Sequence, residues 1–140
     1  MSGISTERAR RESAEDRLDV METAAPPLAP SESAIDLAQL SRMTLGEPGL
    51  ERELLMLFDL QAGILLGRMV GEAPKAAAWL AHTLVGSARG VGAWKVAVAA
   101  EAVERLASAS GPIMLNSAMA RLTAAVSEAQ AAIAEILRSR

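Results

Sequence analysis

A single histidine, His82, stands in a chain of 140 residues that has no cysteine and no tyrosine. Imidazole titrates at about pH 6.5 in reference compounds, so it offers a neutral nucleophilic nitrogen under physiological conditions. Without cysteine there are no disulfides and no thiolate metal sites. One histidine also falls short of the three or four N or S ligands that zinc takes. Many serines beside one histidine do not make a Ser-His-Asp triad. The chemistry to look for is therefore that of one imidazole acting alone.

The residues around His82 read as a helix. At about 100° per residue, Leu80, Leu84, Ala88 and Val91 share one face, with Ala77 beside them, and form the natural core stripe. His82 lies nearly opposite, close to the line through Lys75, Ala78, Val85, Gly86 and Arg89, with Trp79 towards its edge. This places the imidazole on the solvent side. Gly86 sits one turn beyond it, and a glycine inside a helix costs about 1 kcal/mol relative to alanine. Either a partner's backbone approaches there, or the glycine permits tight packing within the protein or is an accident that the helix tolerates. Trp79 reads as a docking residue or a core-edge residue, and Arg89 as a docking charge or a solvated one.

The run His82-Thr-Leu-Val-Gly-Ser-Ala, followed by Gly92-Ala93, resembles the active-site helix of histidine phosphotransfer (HPt) domains. Their pattern is His-x-Leu-Lys-Gly-Ser-(Ala/Ser), with a further glycine near the helix end. A weaker likeness extends over residues 34–139, through helix number, order and length. The resemblance implies that His82 accepts a phosphoryl group from one receiver-domain aspartate and passes it to another. The expected partners are receiver domains of a hybrid histidine kinase or of response regulators. Such a partner supplies the Mg²⁺, and this chain binds no cofactor or metal of its own. A receiver would cover Ala78, Trp79, Val85, Gly86 and Arg89 around His82, with Lys75 and Arg89 as orienting charges. The chain departs from the pattern at Val85, where the family usually has a lysine whose ammonium neutralises the phosphoryl group. Lys75 and Arg89 are each seven residues from His82, or about 10 Å of helix rise. With no Walker A motif and no kinase-type glycine-rich loop, the chain does not draw phosphate from ATP. The resemblance implies a phosphocarrier rather than a turnover enzyme. The alternative is a receiver-docking module of the same fold that binds without efficient transfer.

The elements that must hold this site are helices. Hydrophobic residues make up 51% of the chain and aromatics 2%, and the apolar content is mainly Ala, Leu, Val, Ile and Met. That balance favours helix over sheet. Successive helices are expected at about 33–45, 48–70, 74–91, 93–107 and 112–137. Ser31 or Ser33 would cap the first, and Pro48, Pro74 and Pro112 would open later ones. The long second helix has Leu50, Leu54, Leu57, Phe58, Ile64 and Leu65 at helical spacing. Trp94 and Met114 read as packing residues at loop–helix junctions. Glu51, Glu53, Glu101 and Glu104 read as solvated charges. Short loops between long helices predict an all-α fold, an antiparallel up-and-down four-helix bundle with a short leading helix, over residues 31–140. Residues 1–30, charged and then proline-rich, read as a flexible arm. The formal net charge of -3 gives no reason to expect nucleic-acid binding. No stretch is apolar enough for a membrane span or a signal peptide, so a cytoplasmic location is expected. A monomer is expected, although an Ala- and Met-rich surface leaves room for a dimer face.

Overall fold

Helices begin where the sequence offers a cap or a proline. The computed structural model describes residues 33–109 and 111–140, with five helices: α1 (Leu37–Thr44), α2 (Pro48–Met69), α3 (Pro74–Val91), α4 (Trp94–Ala109) and α5 (Pro112–Arg138). The expected arm at residues 1–30 and the Ser31 cap lie outside the described residues. Proline occupies the first turn of α2, α3 and α5, where a missing N–H costs nothing. α1 starts just after its cap residue Asp36, later than expected. Its Oδ1 accepts from the Ala38 and Gln39 amides at 3.0 and 3.3 Å, which removes any need for a serine cap. At the other end of α3, Gly92 takes a left-handed conformation with φ 77°.

Among the described residues all regular structure is helical, and the helices pack together. α3 lies between α2 and α4, α4 packs on α5, and α5 closes back onto α2. α1 lies across α2 and α3. Leu55, Leu84, Leu122, Ile133, Val96 and Val103 are fully buried and form the centre of one core. Alanines such as Ala62, Ala88 and Ala100 are buried beside them. Their small side chains let the helices approach closely, which fits a core with so few aromatic residues. No helix among the described residues is long and apolar enough to cross a membrane.

The inward face of α2 differs from the expected one. Leu55, Phe58, Ala62, Leu65 and Met69 point inward, whereas Leu50, Leu57 and Ile64 are exposed. Periodicity could not choose between them because α2 is apolar on two sides. Glu51, expected at the surface, is buried. Its carboxylate accepts from Thr44 Oγ1 at 3.3 Å and from Arg140 Nη1 at 2.7 Å. Met114, expected to pack, is exposed at the start of α5.

Candidate functional site

α3 carries the site, and its position is fixed from both flanks. The stripe Ala77, Leu80, Leu84, Ala88 and Val91 is buried as its spacing predicts. The C-terminal end of α3 is tied to α1. Asp36 N–H donates to Gly92 O at 2.9 Å, and Gln39 Nε2 donates to Arg89 O at 3.2 Å. This approach is close enough that a Cβ on Gly92 would stand 2.6 Å from Asp36 O. Trp94, the first residue of α4, donates its indole N–H to Asp36 Oδ2 at 2.9 Å. That bond, together with the Gln39 and Ala38 amides and the nearby Arg42, holds the Asp36 carboxyl below the usual aspartate range, against partial burial that acts the other way. Trp94 thus joins the start of α4 to the cap of α1.

His82 projects from the outer side of α3, with its side chain 72% exposed. Its Nδ1 lies 2.9 Å from Glu104 Oε2 on α4. A carboxylate only accepts, so Nδ1 carries the proton in this bond. In the neutral ring the lone pair then resides on Nε2. The geometry therefore presents one defined nitrogen to an incoming electrophile.

Four of the expected residues meet in one shallow depression, namely Lys75, Ala78, Trp79 and His82, with Glu104 and Ser108 completing its wall from α4. Trp79 is 67% exposed, which places it on the surface rather than at the core edge. Lys75 is exposed and has no ion-pair partner among the described residues. Gly86 is exposed one turn beyond His82, and a Cβ built there meets nothing within 4 Å. Tight packing inside the protein therefore does not explain that glycine. Arg89 is exposed but its guanidinium is paired with Glu101 of α4, so it does not turn towards His82.

Val85 corrects the expected surface. It is only 5% exposed and belongs to the core. It lies about 60° around the helix from His82, on the flank that α4 covers. α3 is buried against two neighbours, so its inward arc is wider than one stripe. Val85 cannot touch a partner at the surface. It leaves the ring without a cation one turn away.

Sequence reasoning placed Glu104 on a solvated face. It is 22 residues from His82 on another helix, and nothing local in a single sequence signals that pairing. Glu101 and Glu104 share one side of α4, and both engage α3. Among the described residues no group of His, Cys, Asp or Glu is arranged to hold a metal ion. No protein family, no curated protein and no solved structure matches the chain.

Proposed function

We propose that this protein is a phosphorelay intermediate in which His82 accepts a phosphoryl group from one receiver-domain aspartate and donates it to another. The observation that carries this reading is the exposed imidazole with Nδ1 bound to Glu104 and Nε2 free. In the forward step the Nε2 lone pair attacks the phosphorus of the aspartyl phosphate. The N–P bond forms as the acyl O–P bond breaks, and the aspartate leaves as a carboxylate. Glu104 holds the Nδ1 proton through the step, and its carboxylate offsets the positive charge that the ring gains when Nε2 bonds phosphorus. Transfer to the next aspartate reverses these bond changes.

Such a reaction needs mainly alignment and charge neutralisation. The partner receiver supplies Mg²⁺ and the aspartate. This chain supplies Lys75, which lines the same depression as His82. Exposed Trp79 and the bare backbone at Gly86 give the partner an aromatic anchor and a close approach. Arg89, held by Glu101, contributes a fixed charge at the rim. The protein works in the cytoplasm, where receivers are found.

The frame proposed for this site is an antiparallel up-and-down four-helix bundle of α2–α5, with α1 leading. Cross-helix bonds support it. From His82 to Arg89 on α3, the partners on α4 run backwards from Glu104 to Glu101. From Glu51 to Asp59 on α2, the partners run backwards from Arg140, just past the end of α5, to Gln130 within it.

A docking-only module is the second reading, and the buried Val85 favours it by removing the nearest cation site. Radiolabelled phosphorylated receiver domains separate the two. Acid-labile label on the wild-type chain that is absent from His82→Gln establishes transfer. Receivers that bind but never label the chain establish docking alone.

A further inference from the structure

Helix α2 carries a second apolar face. About 140° around the helix from its buried side, Leu50, Leu57, Leu60 and Ile64 are 42%, 61%, 63% and 52% exposed. Leu50, Leu57 and Ile64 recur every seventh residue, and Leu60 falls between the last two. This is the alternating spacing of a seam between two packed helices. Exposed leucines scattered singly are normal on a protein surface, but a continuous stripe marks an interface. Met43, also exposed, lies beside it in a groove shared with Leu57. The stripe is separate from the His82 depression, whose lining comes from α3, α4 and the α2–α3 connection.

We propose that this stripe is a homodimer face, with α2 of one copy packed antiparallel on α2 of a second copy about a two-fold axis beside Leu60. The stripe is complementary to itself in that arrangement, because Leu57 meets the partner's Ile64 and Leu60 lies at the axis. Closed two-fold symmetry requires such self-complementarity. Charge selects the same direction. Glu53 and Arg68 lie on the same side of α2 as the stripe, seven residues before and eight residues after Leu60. Both are exposed, and neither has an ion-pair partner among the described residues. Antiparallel packing brings Glu53 to the partner's Arg68, whereas parallel packing would set like charges together. Such rim pairs fix register more than they add affinity.

The size of the face sets the strength of the dimer. A helix of 22 residues presents a strip about 33 Å long and about 10 Å wide. A stable interface takes about 800 Å² from each partner. At about 330 Å² the α2 strip falls well short of that figure, so the dimer is weak and reversible. Gly67, toward the far end of the stripe, has no atom within 4 Å of a built Cβ, which leaves the backbone open to close approach.

Sedimentation velocity on the full chain, from about 1 to about 500 µM, tests the proposal. The mass is expected to rise from one chain to two across that range. Leu57→Glu with Ile64→Glu should hold the mass at one chain while the helical circular dichroism is kept. Glu53→Arg should weaken association about tenfold, and adding Arg68→Glu should restore it. His82→Gln should dimerise like the wild type, so loss of phosphotransfer leaves this inference standing. A wild-type mass of one chain throughout would overturn it. So would association unaffected by the paired glutamates, or a charge reversal that the second substitution does not rescue. Loss of receiver binding in the stripe variants, with no change in mass, would assign the face to receivers instead.

Discussion

At the scale of single residues, the His82–Glu104 bond separates position from reactivity. Glu104 acts through the imidazole by fixing which nitrogen is protonated, so its removal should change chemistry more than binding. Replacing a carboxylate that orients a metal-bound histidine in the same way costs about tenfold or more. We expect Glu104→Ala to slow receiver-to-His82 transfer by at least that factor with receiver affinity little changed. Glu104→Gln, whose amide oxygen still accepts from Nδ1, should recover part of the rate. ¹⁵N NMR of the ring checks the cause: the wild type should show the Nδ1–H tautomer, and Glu104→Ala a mixture. Two glycines on the same helix give a contrasting pair. Gly86 has open space around it, so Gly86→Ala should raise stability by about 0.5–1 kcal/mol while lowering receiver affinity. Gly92 has φ 77° and a carbonyl 2.6 Å from the built Cβ. Gly92→Ala should therefore cost about 2 kcal/mol or more from the left-handed backbone and the clash, read as a lower denaturant midpoint. His82 and its exposure were legible in the sequence because one helical wheel contains them. Glu104 was not, since a pairing between helices leaves no periodic trace. Val85 was misplaced because the wheel showed one buried face where the fold buries α3 on two flanks.

At the scale of elements, boundaries were legible and faces less so. Proline fixes φ and lacks an N–H, so Pro48, Pro74 and Pro112 announce helix starts that the structure places at those residues. The inward side of α2 was ambiguous because Leu50, Leu57 and Ile64 mimic a core stripe as well as Leu55, Phe58 and Leu65 do. Only packing partners decide between them. The joint between α1, α3 and α4 shows the same limit, since Asp36 caps α1 locally and also accepts from Trp94, 58 residues away. The depressed Asp36 pKa makes that joint sensitive to acid. A carboxyl whose folded pKa lies below its unfolded value adds stability above about pH 3.9, the ordinary aspartate value, and loses it as the pH falls towards the folded pKa. Asp36→Ala should cost about 1–2 kcal/mol near neutrality through the lost cap and indole bond. The gap between wild type and variant should narrow below about pH 4. Urea midpoints at neutral pH and below pH 4 measure both, and an unchanged gap would show that the carboxylate charge has no part in the joint.

At the scale of the whole molecule, the helices close into one body through a contact far from the chemistry. Glu51 near the start of α2 is buried, and Arg140, beyond the end of α5, pairs with it at 2.7 Å. Thr44 at the end of α1 adds a second partner. Three separate elements therefore meet on one carboxylate. A buried carboxylate that loses its cation keeps its desolvation cost, so breaking such a pair destabilises more than the pair itself contributes. Arg140 is only about one-third exposed, so its removal is not a surface change. Arg140→Ala should lower stability by about 1–3 kcal/mol, seen as a reduced denaturant midpoint with an unchanged slope. The His82 depression draws on α3, α4 and the connection before α3, none of which touches Glu51 or Arg140 through a side-chain bond. Phosphotransfer per folded molecule should therefore stay at the wild-type rate well below the melting range of the variant. A transfer rate that falls with the midpoint would mean that α2–α5 closure also sets the placement of His82 against Glu104, and the site could not then be treated as a self-contained property of α3 and α4.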